Sequence, residues 1–368
     1  MSLRDRYRRL PSSTSGRLRH DVFIGFIDAA VSGVWAMTGN IRNMAAPREF
    51  DRTVTLTVVD RQVVAHDQHV VALTLAAPGA GRLAPWRAGS HLDIHLPSGL
   101  VRQYSLCGDP EVTDAYRIAV RRIPDGGGGS IEVHDALKIG TTVTTSGPRN
   151  AFPLTVPGYG SPSRRLRFIA GGIGITPILP MLTVAARLGI EWSMVYAGRS
   201  RESLPFVDEL DRFGGRIEIR TDDRCGVPTA EDLLGDCPDG TAVYACGPQS
   251  MLTAIRTGLA GRDEVELHFE RFAAPPVLDG TEFDVTVASS GATLRVGAEE
   301  TLLSALRRAG VTPLYSCQQG FCGTCRTRVL DGDVEHRDTL LTIPERDSGM
   351  MLVCISRAAS GGRLTLDL

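Results

Sequence analysis

The sequence predicts a multidomain protein: an antiparallel β-barrel, then a doubly wound α/β domain, then a small α+β domain that carries a cysteine loop. Three observations support this. Short β-rich segments follow one another from residue 53, and strands alternate with helices from residue 163. The cysteine-rich stretch CQQGFCGTC (317–325) lies near the end of the sequence. A chain of 368 residues is long enough for two or three domains with separate cores.

The composition excludes several classes of protein. The chain is 42% hydrophobic and 22% charged with a formal net charge of −2, which is ordinary for a soluble globular protein and argues against a nucleic-acid partner. Eight cysteines are too few for a disulfide scaffold, and four of them cluster towards the C-terminus. Clustered thiols indicate metal ligation in a reducing compartment, so we expect a cytoplasmic protein.

Residues 1–50 form an N-terminal extension with one predicted helix. Its apolar run is interrupted by Asp28 and spans about 17 residues, fewer than the ~20 needed to cross a bilayer. The favoured interpretation is a helix packed on the first domain. The alternative is a weak membrane or partner contact, because a basic segment beside an apolar helix suits an interface.

The next three segments define the predicted domains. Residues 51–157 contain six β-rich segments punctuated by Pro, Gly and Asp, which is typical of a small antiparallel barrel. Residues 163–272 alternate apolar strands with helices, which predicts a doubly wound parallel sheet. The proline-rich stretch 273–280 is a linker, and residues 281–368 begin with a hairpin and an amphipathic helix before the cysteine loop.

The cysteine loop predicts an iron–sulfur centre. The spacing C-x4-C-x2-C with a later fourth cysteine is that of a plant-type [2Fe–2S] ferredoxin. Gly320 and Gly323 allow a tight loop with positive φ angles. A structural zinc site is the alternative, but zinc usually takes paired C-x2-C units and only one is present. The candidate ligands are Cys317, Cys322, Cys325 and Cys354.

Two motifs in the barrel suggest a nucleotide-like cofactor. In RQYS (102–105), the alternation of a strand directs Arg102 and Tyr104 to one face and Ser105 to the other. The run DGGGGS (125–130) leads into a predicted helix with Ser130 at its N-cap, where free N–H groups suit a phosphate. A flexible surface loop is the alternative for a lone glycine run.

Two further motifs follow strands of the α/β domain. AGGIGITP (170–177) places glycines at a strand end before a helix, which admits a pyrophosphate to the helix N-terminus. YACGP (244–248) ends a later strand and begins another helix.

These motifs, in this order, carry a family resemblance. The Arg-x-Tyr-Ser pattern resembles the flavin signature of the ferredoxin-NADP reductase superfamily, and residues 53–368 resemble the phthalate dioxygenase reductase family. The resemblance implies a flavin-binding barrel, an NAD-binding domain and a C-terminal β-grasp [2Fe–2S] ferredoxin domain. It implies FMN rather than FAD, because a phosphate loop is present without a clear adenine platform.

The resemblance also implies residue roles. Catalytic contacts are expected from Ser105, Cys246 and Glu270. The expected cofactor-binding residues are Arg102, Tyr104, Ser105, Arg121, Gly128, Gly129, Ser130, Gly171, Gly172, Gly174, Thr176, Asp222, Cys246, Gly247, Pro248 and Phe272. Acidic residues at 222–223 favour NADH through a ribose diol, whereas Arg199 and Arg201 leave NADPH open.

The implied function is that of an oxidoreductase. Electrons pass from NAD(P)H through the flavin and the cluster to a partner oxygenase, either a Rieske non-haem iron enzyme or a cytochrome P450, and we expect a monomer. One alternative is an electron donor to a membrane di-iron desaturase or hydroxylase. Another is a non-enzymatic iron–sulfur redox sensor, which the intact nicotinamide motifs disfavour.

Overall fold

The computed structural model describes residues 27, 29–31, 53–124, 127–156, 161–272, 274–338, 340–359 and 361–368. The chain divides into two compact units, Met1–Asp51 and Arg52–Leu368. Residues 27 and 29–31 of the first unit are helical, and the rest of the predicted extension lies outside the described residues. Of the helices described, none has the length and apolar character required to cross a membrane.

The first sheet of the second unit is a six-stranded antiparallel barrel in the order β4-β3-β6-β1-β2-β5. A bridge between Leu106, just after β4, and Ile118 of β5 joins the two edge strands. Alternating apolar residues fill its centre, and a helix, α1, follows β5. The elements are β1 (Thr53–Val63), β2 (Val70–Ala76), β3 (Ser90–His95), β4 (Val101–Ser105), β5 (Ala115–Arg121), α1 (Gly129–Ala136) and β6 (Thr142–Asn150).

The second sheet is parallel throughout, in the order β11-β10-β7-β8-β9. The strand order reverses between β7 and β10, which is where such sheets bind nucleotides. The elements are β7 (Arg165–Gly171), α2 (Ile175–Arg187), β8 (Glu191–Gly198), α3 (Val207–Leu210), β9 (Ile217–Thr221), α4 (Asp222–Cys225), α5 (Ala230–Leu234), β10 (Thr241–Cys246), α6 (Gln249–Gly258) and β11 (Val265–Glu270).

The third sheet is mixed, in the order β13-β12-β18-β14-β16, with β12 and β18 parallel and the other pairs antiparallel. A small ribbon, β15–β17, completes this α+β domain. The elements are β12 (Phe283–Val287), β13 (Thr293–Val296), α7 (Leu302–Arg308), β14 (Arg326–Asp331), β15 (Val334–Glu335), α8 (Ile343–Asp347), β16 (Met350–Leu352), β17 (Arg357–Ala358) and β18 (Arg363–Leu366).

The predicted fold class is therefore confirmed. Barrel, doubly wound sheet and cysteine-bearing α+β domain follow one another in the predicted order. The three sheets fall within the ranges 51–157, 163–272 and 281–368, whose limits remain predictions.

Candidate active site and metal centre

The structure brings the three predicted catalytic residues together at strand ends from two domains. Ser105 is the last residue of β4, Cys246 the last of β10, and Glu270 the last of β11. Cys246 and Glu270 are direct neighbours in the sheet, and the Ser105 side chain hydrogen-bonds to the Glu270 carboxyl. The barrel and the parallel sheet therefore meet at one polar cluster.

Burial controls the protonation of this cluster. It raises the pKa of the Glu270 carboxyl to about 8, although the hydrogen bond with Ser105 lowers it in part. Glu270 Oε2 is buried and has no hydrogen-bond partner among the described residues. Burial, together with the adjacent Glu270, raises the pKa of the fully buried Cys246 thiol. At neutral pH the site therefore offers a protonated carboxyl and a protonated thiol.

The glycine turns after β7 and β10 lie against each other. A Cβ on Gly171 would lie 2.6 Å from Pro248 Cδ and 3.2 Å from Gly247 Cα. A Cβ on Gly174 would collide with the carbonyl of Cys246. The absence of side chains brings the two strand ends close enough to form a cleft at the switch point of the sheet.

The start of α2 borders that cleft. Gly172 and Gly174 bound a short 3₁₀ turn, and α2 begins at Ile175. Thr176 is buried, and its hydroxyl donates to the carbonyl of Ile173 at 3.0 Å. The hydroxyl thus stabilises the turn that exposes the helix start.

The predicted flavin signature lies beside the predicted phosphate loop. Arg102 Nη2 donates to the carbonyl of Gly127 at 2.8 Å. A Cβ on Gly129 would lie 2.7 Å from Arg102 Nε, so the arginine lies directly on the start of α1. Tyr104 is partly buried, and burial raises the pKa of its phenol.

One prediction about this loop is wrong. The N-cap of α1 is Gly128, with φ of 78°, and Ser130 lies in the first helical turn. The Ser130 Oγ accepts a hydrogen bond from the backbone N–H of Ile123 at 3.0 Å. A glycine caps the helix because the chain enters it with a positive φ, which serine adopts at a cost.

The remaining predicted cofactor residues occupy different settings. Arg121 pairs with Asp67 at 3.1 Å and donates to the carbonyl of Ser203, so its guanidinium joins the barrel to the α/β domain. Asp222 begins α4, immediately after β9. Phe272 follows β11 and is 45% exposed, which leaves its ring accessible to a planar ligand.

The four predicted ligand thiols form two pairs. Side-chain hydrogen bonds join Cys317 to Cys322 and Cys325 to Cys354. In each pair the bond lowers the pKa of one thiol, Cys322 or Cys325, and raises that of its partner. The backbone N–H of Gln319 points to Cys317 Sγ at 3.3 Å.

The four thiols provide the donor set of an iron–sulfur cluster. In the part of the chain that the structure describes, no group of three or more His, Cys, Asp or Glu residues is arranged to hold a single metal ion. Two thiol pairs with a backbone N–H on sulfur are the donors that a dinuclear iron–sulfur cluster requires. Gly320 and Gly323 have φ of 80° and 78°, as the loop was expected to need.

Sequence reasoning missed contacts that join the cysteine loop to the rest of the site. His91 on β3 pairs with Ser105 in the barrel and lies 6.2 Å from Phe321, ring centroid to ring centroid. Burial lowers the pKa of His91 to about 4, and its Nε2 has no partner among the described residues. Gln319 Nε2 donates to the carbonyl of Arg271 at 2.5 Å. No local motif distinguishes His91, and Gln319 was visible only as part of the cysteine loop.

Two family models match the chain and define its class. Residues 55–153 match an oxidoreductase FAD-binding domain, and residues 285–359 match a 2Fe-2S iron-sulfur cluster binding domain. The buried, unpaired Glu270 oxygen, the glycine loop beside Arg102 and the paired thiols fit these two groups. The protein is therefore a flavin- and iron–sulfur-containing oxidoreductase.

Individual relatives identify the family. Phenoxybenzoate dioxygenase subunit beta of Ectopseudomonas oleovorans is 39% identical over 81% of this chain and 93% of its own length. A solved phthalate dioxygenase reductase, described as a modular structure for electron transfer from pyridine nucleotides to [2Fe-2S], is 32% identical. It covers 88% of this chain and 100% of its own, with a TM-score of 0.64. An intact type IV self-sufficient cytochrome P450 monooxygenase is 36% identical over 88% of this chain and 43% of its own, with a TM-score of 0.62.

The chain belongs to the phthalate dioxygenase reductase family. It is an oxygenase reductase, which carries electrons from NAD(P)H through a flavin and a [2Fe–2S] cluster to an oxygenase.

Proposed function

We propose that the protein oxidises NADH at an FMN held by the barrel and delivers electrons singly, through the cluster, to a terminal oxygenase. The observation that carries this proposal is the contact of Ser105, Cys246 and Glu270 at the cleft between β7 and β10, with the cysteine loop tied to the adjacent Arg271 carbonyl. The hydride site and the cluster site are thereby neighbours.

The proposed roles follow from placement. The cleft formed by Gly171, Gly174 and Gly247 admits the nicotinamide nucleotide, with its pyrophosphate at the start of α2. When bound, the flavin accepts a hydride and releases its two electrons one at a time, and the cluster accepts one electron. Phe272, which is 45% exposed, would cover the ring of a bound flavin.

The Ser105–Glu270 pair holds and orients a proton at the site. Because the Glu270 pKa is raised to about 8, the carboxyl holds a proton near neutral pH. Ser105 orients that carboxyl by its hydrogen bond. The buried Cys246 thiol stays neutral and excludes water from the cleft. The protein thus positions the reactants in a dry site, while the cofactors supply the redox chemistry.

FMN is proposed because one phosphate fits the site beside Arg102. Arg102 and the start of α1 converge at Gly127 and Gly129, and the sequence offers no clear adenine platform after them. NADH is proposed because Asp222 and Asp223 follow β9, where a carboxylate hydrogen-bonds a ribose diol and repels a 2′-phosphate.

The proposed electron acceptor is a Rieske-type non-haem iron oxygenase or a cytochrome P450. Relatives whose names include a dioxygenase and a P450 monooxygenase support both classes.

The test is to denature the purified protein and to separate the released flavin by chromatography. We expect FMN, together with reduction of the flavin by NADH at a lower nicotinamide concentration than by NADPH. Release of FAD would move the protein to an FAD-dependent branch, and absence of any flavin would refute the electron path.

A further inference from the structure

The predicted flavin-phosphate site contains groups from the C-terminal domain. Arg102 of the barrel lies over the ring of Tyr315, with its guanidinium carbon 4.3 Å from the ring centroid. Arg102 Nη2 also donates to the Tyr315 hydroxyl at 2.8 Å, and Nη1 to the Tyr315 carbonyl at 3.3 Å. Tyr315 is buried and lies just before the cysteine loop. The guanidinium of Arg102, a barrel residue, is therefore held in place by Tyr315 of the C-terminal domain.

A second cation reaches the same point. The guanidinium carbon of Arg307, on α7, lies 5.0 Å from the centroid of the same Tyr315 ring. A Cβ on Gly127 would lie 3.0 Å from Arg307 Nη2 and 3.4 Å from Arg102 Nη2, and would collide with the Tyr315 hydroxyl. Two guanidinium groups and a phenol from two domains thus converge on the loop that precedes α1.

This convergence is electrostatically unbalanced. Within residues 53–124, 127–156 and 274–338, no carboxylate forms an ion pair with Arg102 or Arg307. The nearby Glu132 carboxylate is engaged by Ser98 through its backbone N–H at 2.8 Å. Burial, and to a smaller degree the positive charge of Arg307, lower the pKa of Arg102. Two adjacent cations that form no direct ion pair with a carboxylate among these residues are stabilised by a bound anion.

The chemistry of the groups selects that anion. Guanidinium groups bind phosphate through charge-assisted hydrogen bonds, and the free N–H groups at the start of α1 add donors on the same side. A phosphate monoester carries the charge that neutralises both arginines, whereas the oxidised flavin ring carries none.

We propose that the C-terminal domain completes the flavin-phosphate site: Arg307, supported by Tyr315, binds the phosphate together with Arg102. The inference rests on the proposed FMN site at 127–130 and adds a ligand from another domain. Because such coupling is reciprocal, the phosphate strengthens docking of the iron–sulfur domain by the same factor by which docking strengthens flavin binding. The iron–sulfur domain is then docked more tightly when the flavin that charges its cluster is present.

The test measures flavin affinity rather than turnover. Flavin is removed from the full-length, cluster-loaded protein, and the dissociation constants of FMN and of riboflavin, which lacks the phosphate, are measured by fluorescence quenching. Arg307→Ala is compared with Arg308→Ala, the next residue of the same helix, which is also exposed but pairs with Glu300 at 2.9 Å.

We expect Arg307→Ala to raise the dissociation constant of FMN about tenfold and to leave that of riboflavin unchanged, since it removes a charge-assisted hydrogen bond to phosphate. Arg307→Lys restores part of the loss, and Arg308→Ala changes neither constant. Millimolar inorganic phosphate competes with FMN in the wild type and competes less in Arg307→Ala.

Two results overturn the proposal. Equal weakening of FMN and riboflavin by Arg307→Ala would assign Arg307 a structural role, and no change in either would remove it from the site. A wild type that binds FMN no more tightly than riboflavin would instead refute the FMN site itself, whatever Arg307 does, so the two failures are distinguishable. Tyr315→Phe gives a second variant, with an expected loss of a few-fold for FMN alone.

Discussion

One hydrophobic cluster spans the barrel and the α/β domain, in addition to a separate cluster in the barrel centre, whereas the buried cluster of the C-terminal domain is its own. Phe152, after the last barrel strand, is 3% exposed and packs in one cluster with Phe168 and Tyr244 of the parallel sheet. The buried core of the C-terminal domain draws only on residues between Phe283 and Leu366. Its contacts with the other two domains include side-chain links such as Arg102 to Tyr315 and Gln319 to the Arg271 carbonyl.

This difference in packing corresponds to two kinds of transfer, that of a hydride and that of a single electron. Hydride transfer needs the reacting atoms within about 3–3.5 Å and well aligned, so the domains that hold nicotinamide and flavin benefit from a rigid common core. An electron crosses a gap without atomic contact, so the iron–sulfur domain can be held by fewer, more polar links. The shared apolar cluster therefore lies between the two domains whose relative geometry hydride transfer constrains most tightly.

Breaking the cluster gives the largest expected effect. Cys322→Ser replaces a thiolate with a much harder ligand, so we expect reduction of cytochrome c by NADH to fall more than about 100-fold. The flavin site lies in domains with a separate core, so ferricyanide reduction, which takes electrons from the flavin, persists. Stopped-flow and steady-state assays with both acceptors measure this.

Cys225→Ser is the matched control, since Cys225 is exposed and lies outside the paired thiols. It should leave both assays unchanged. Undiminished cytochrome c reduction by Cys322→Ser would contradict a linear path through the cluster.

Phe152→Ala tests the shared core. It removes a buried ring that lies 5.7 Å from Tyr244, centroid to centroid, across the two domains. We expect a loss of about 3–5 kcal/mol in the free energy of unfolding of the barrel and α/β unit. Thermal unfolding followed by flavin fluorescence should shift, while the visible circular dichroism of the cluster should keep its wild-type transition.

Leu364→Ala is the reciprocal variant, because Leu364 is fully buried in the C-terminal core. We expect a loss of about 2–5 kcal/mol confined to the cluster transition. If both probes shifted together in both variants, the separation of the cores would not hold in solution.

Glu270→Gln probes the junction of the barrel and the parallel sheet through the pH dependence of stability. The folded-state pKa of Glu270, about 8, lies above its usual 4.5. Below pH 4.5 both states bind the proton. Between pH 4.5 and pH 8 the Glu270 carboxyl is ionised in the unfolded chain but protonated in the folded protein. The free energy of unfolding of the wild type therefore falls as pH rises, on the order of 1 kcal/mol per pH unit.

The glutamine cannot ionise, so its stability relative to the wild type should increase from pH 5 to pH 8, as measured by urea denaturation. Glu299→Gln, at an exposed position, should show no such trend. A flat difference between Glu270→Gln and the wild type would mean that the Glu270 carboxyl titrates normally.

The sequence by itself determined the features that depend on local order. The six barrel strands, the change to alternating strands and helices, and the C-x4-C-x2-C spacing are periodic or short-range signals, and the positive φ of Gly320 and Gly323 follows from the same loop. The motif positions at Ser105, Cys246 and Glu270 were also readable, since each ends a strand. Ser130 was misplaced as an N-cap because residue preference ignores the path of the chain into the helix, which a positive φ at Gly128 sets.

Only the tertiary structure decided which of these residues meet. The hydrogen bond of Ser105 with Glu270, the stacking of Arg102 on Tyr315 and the approach of His91 to Phe321 each join residues far apart in sequence. Such contacts leave no local periodicity, because they depend on how the faces of separately folded sheets pack together. Burial followed from the same packing, and burial is what raises the pKa of Glu270. The packing of the domains also places the exposed Arg307 side chain beside Gly127 of the barrel.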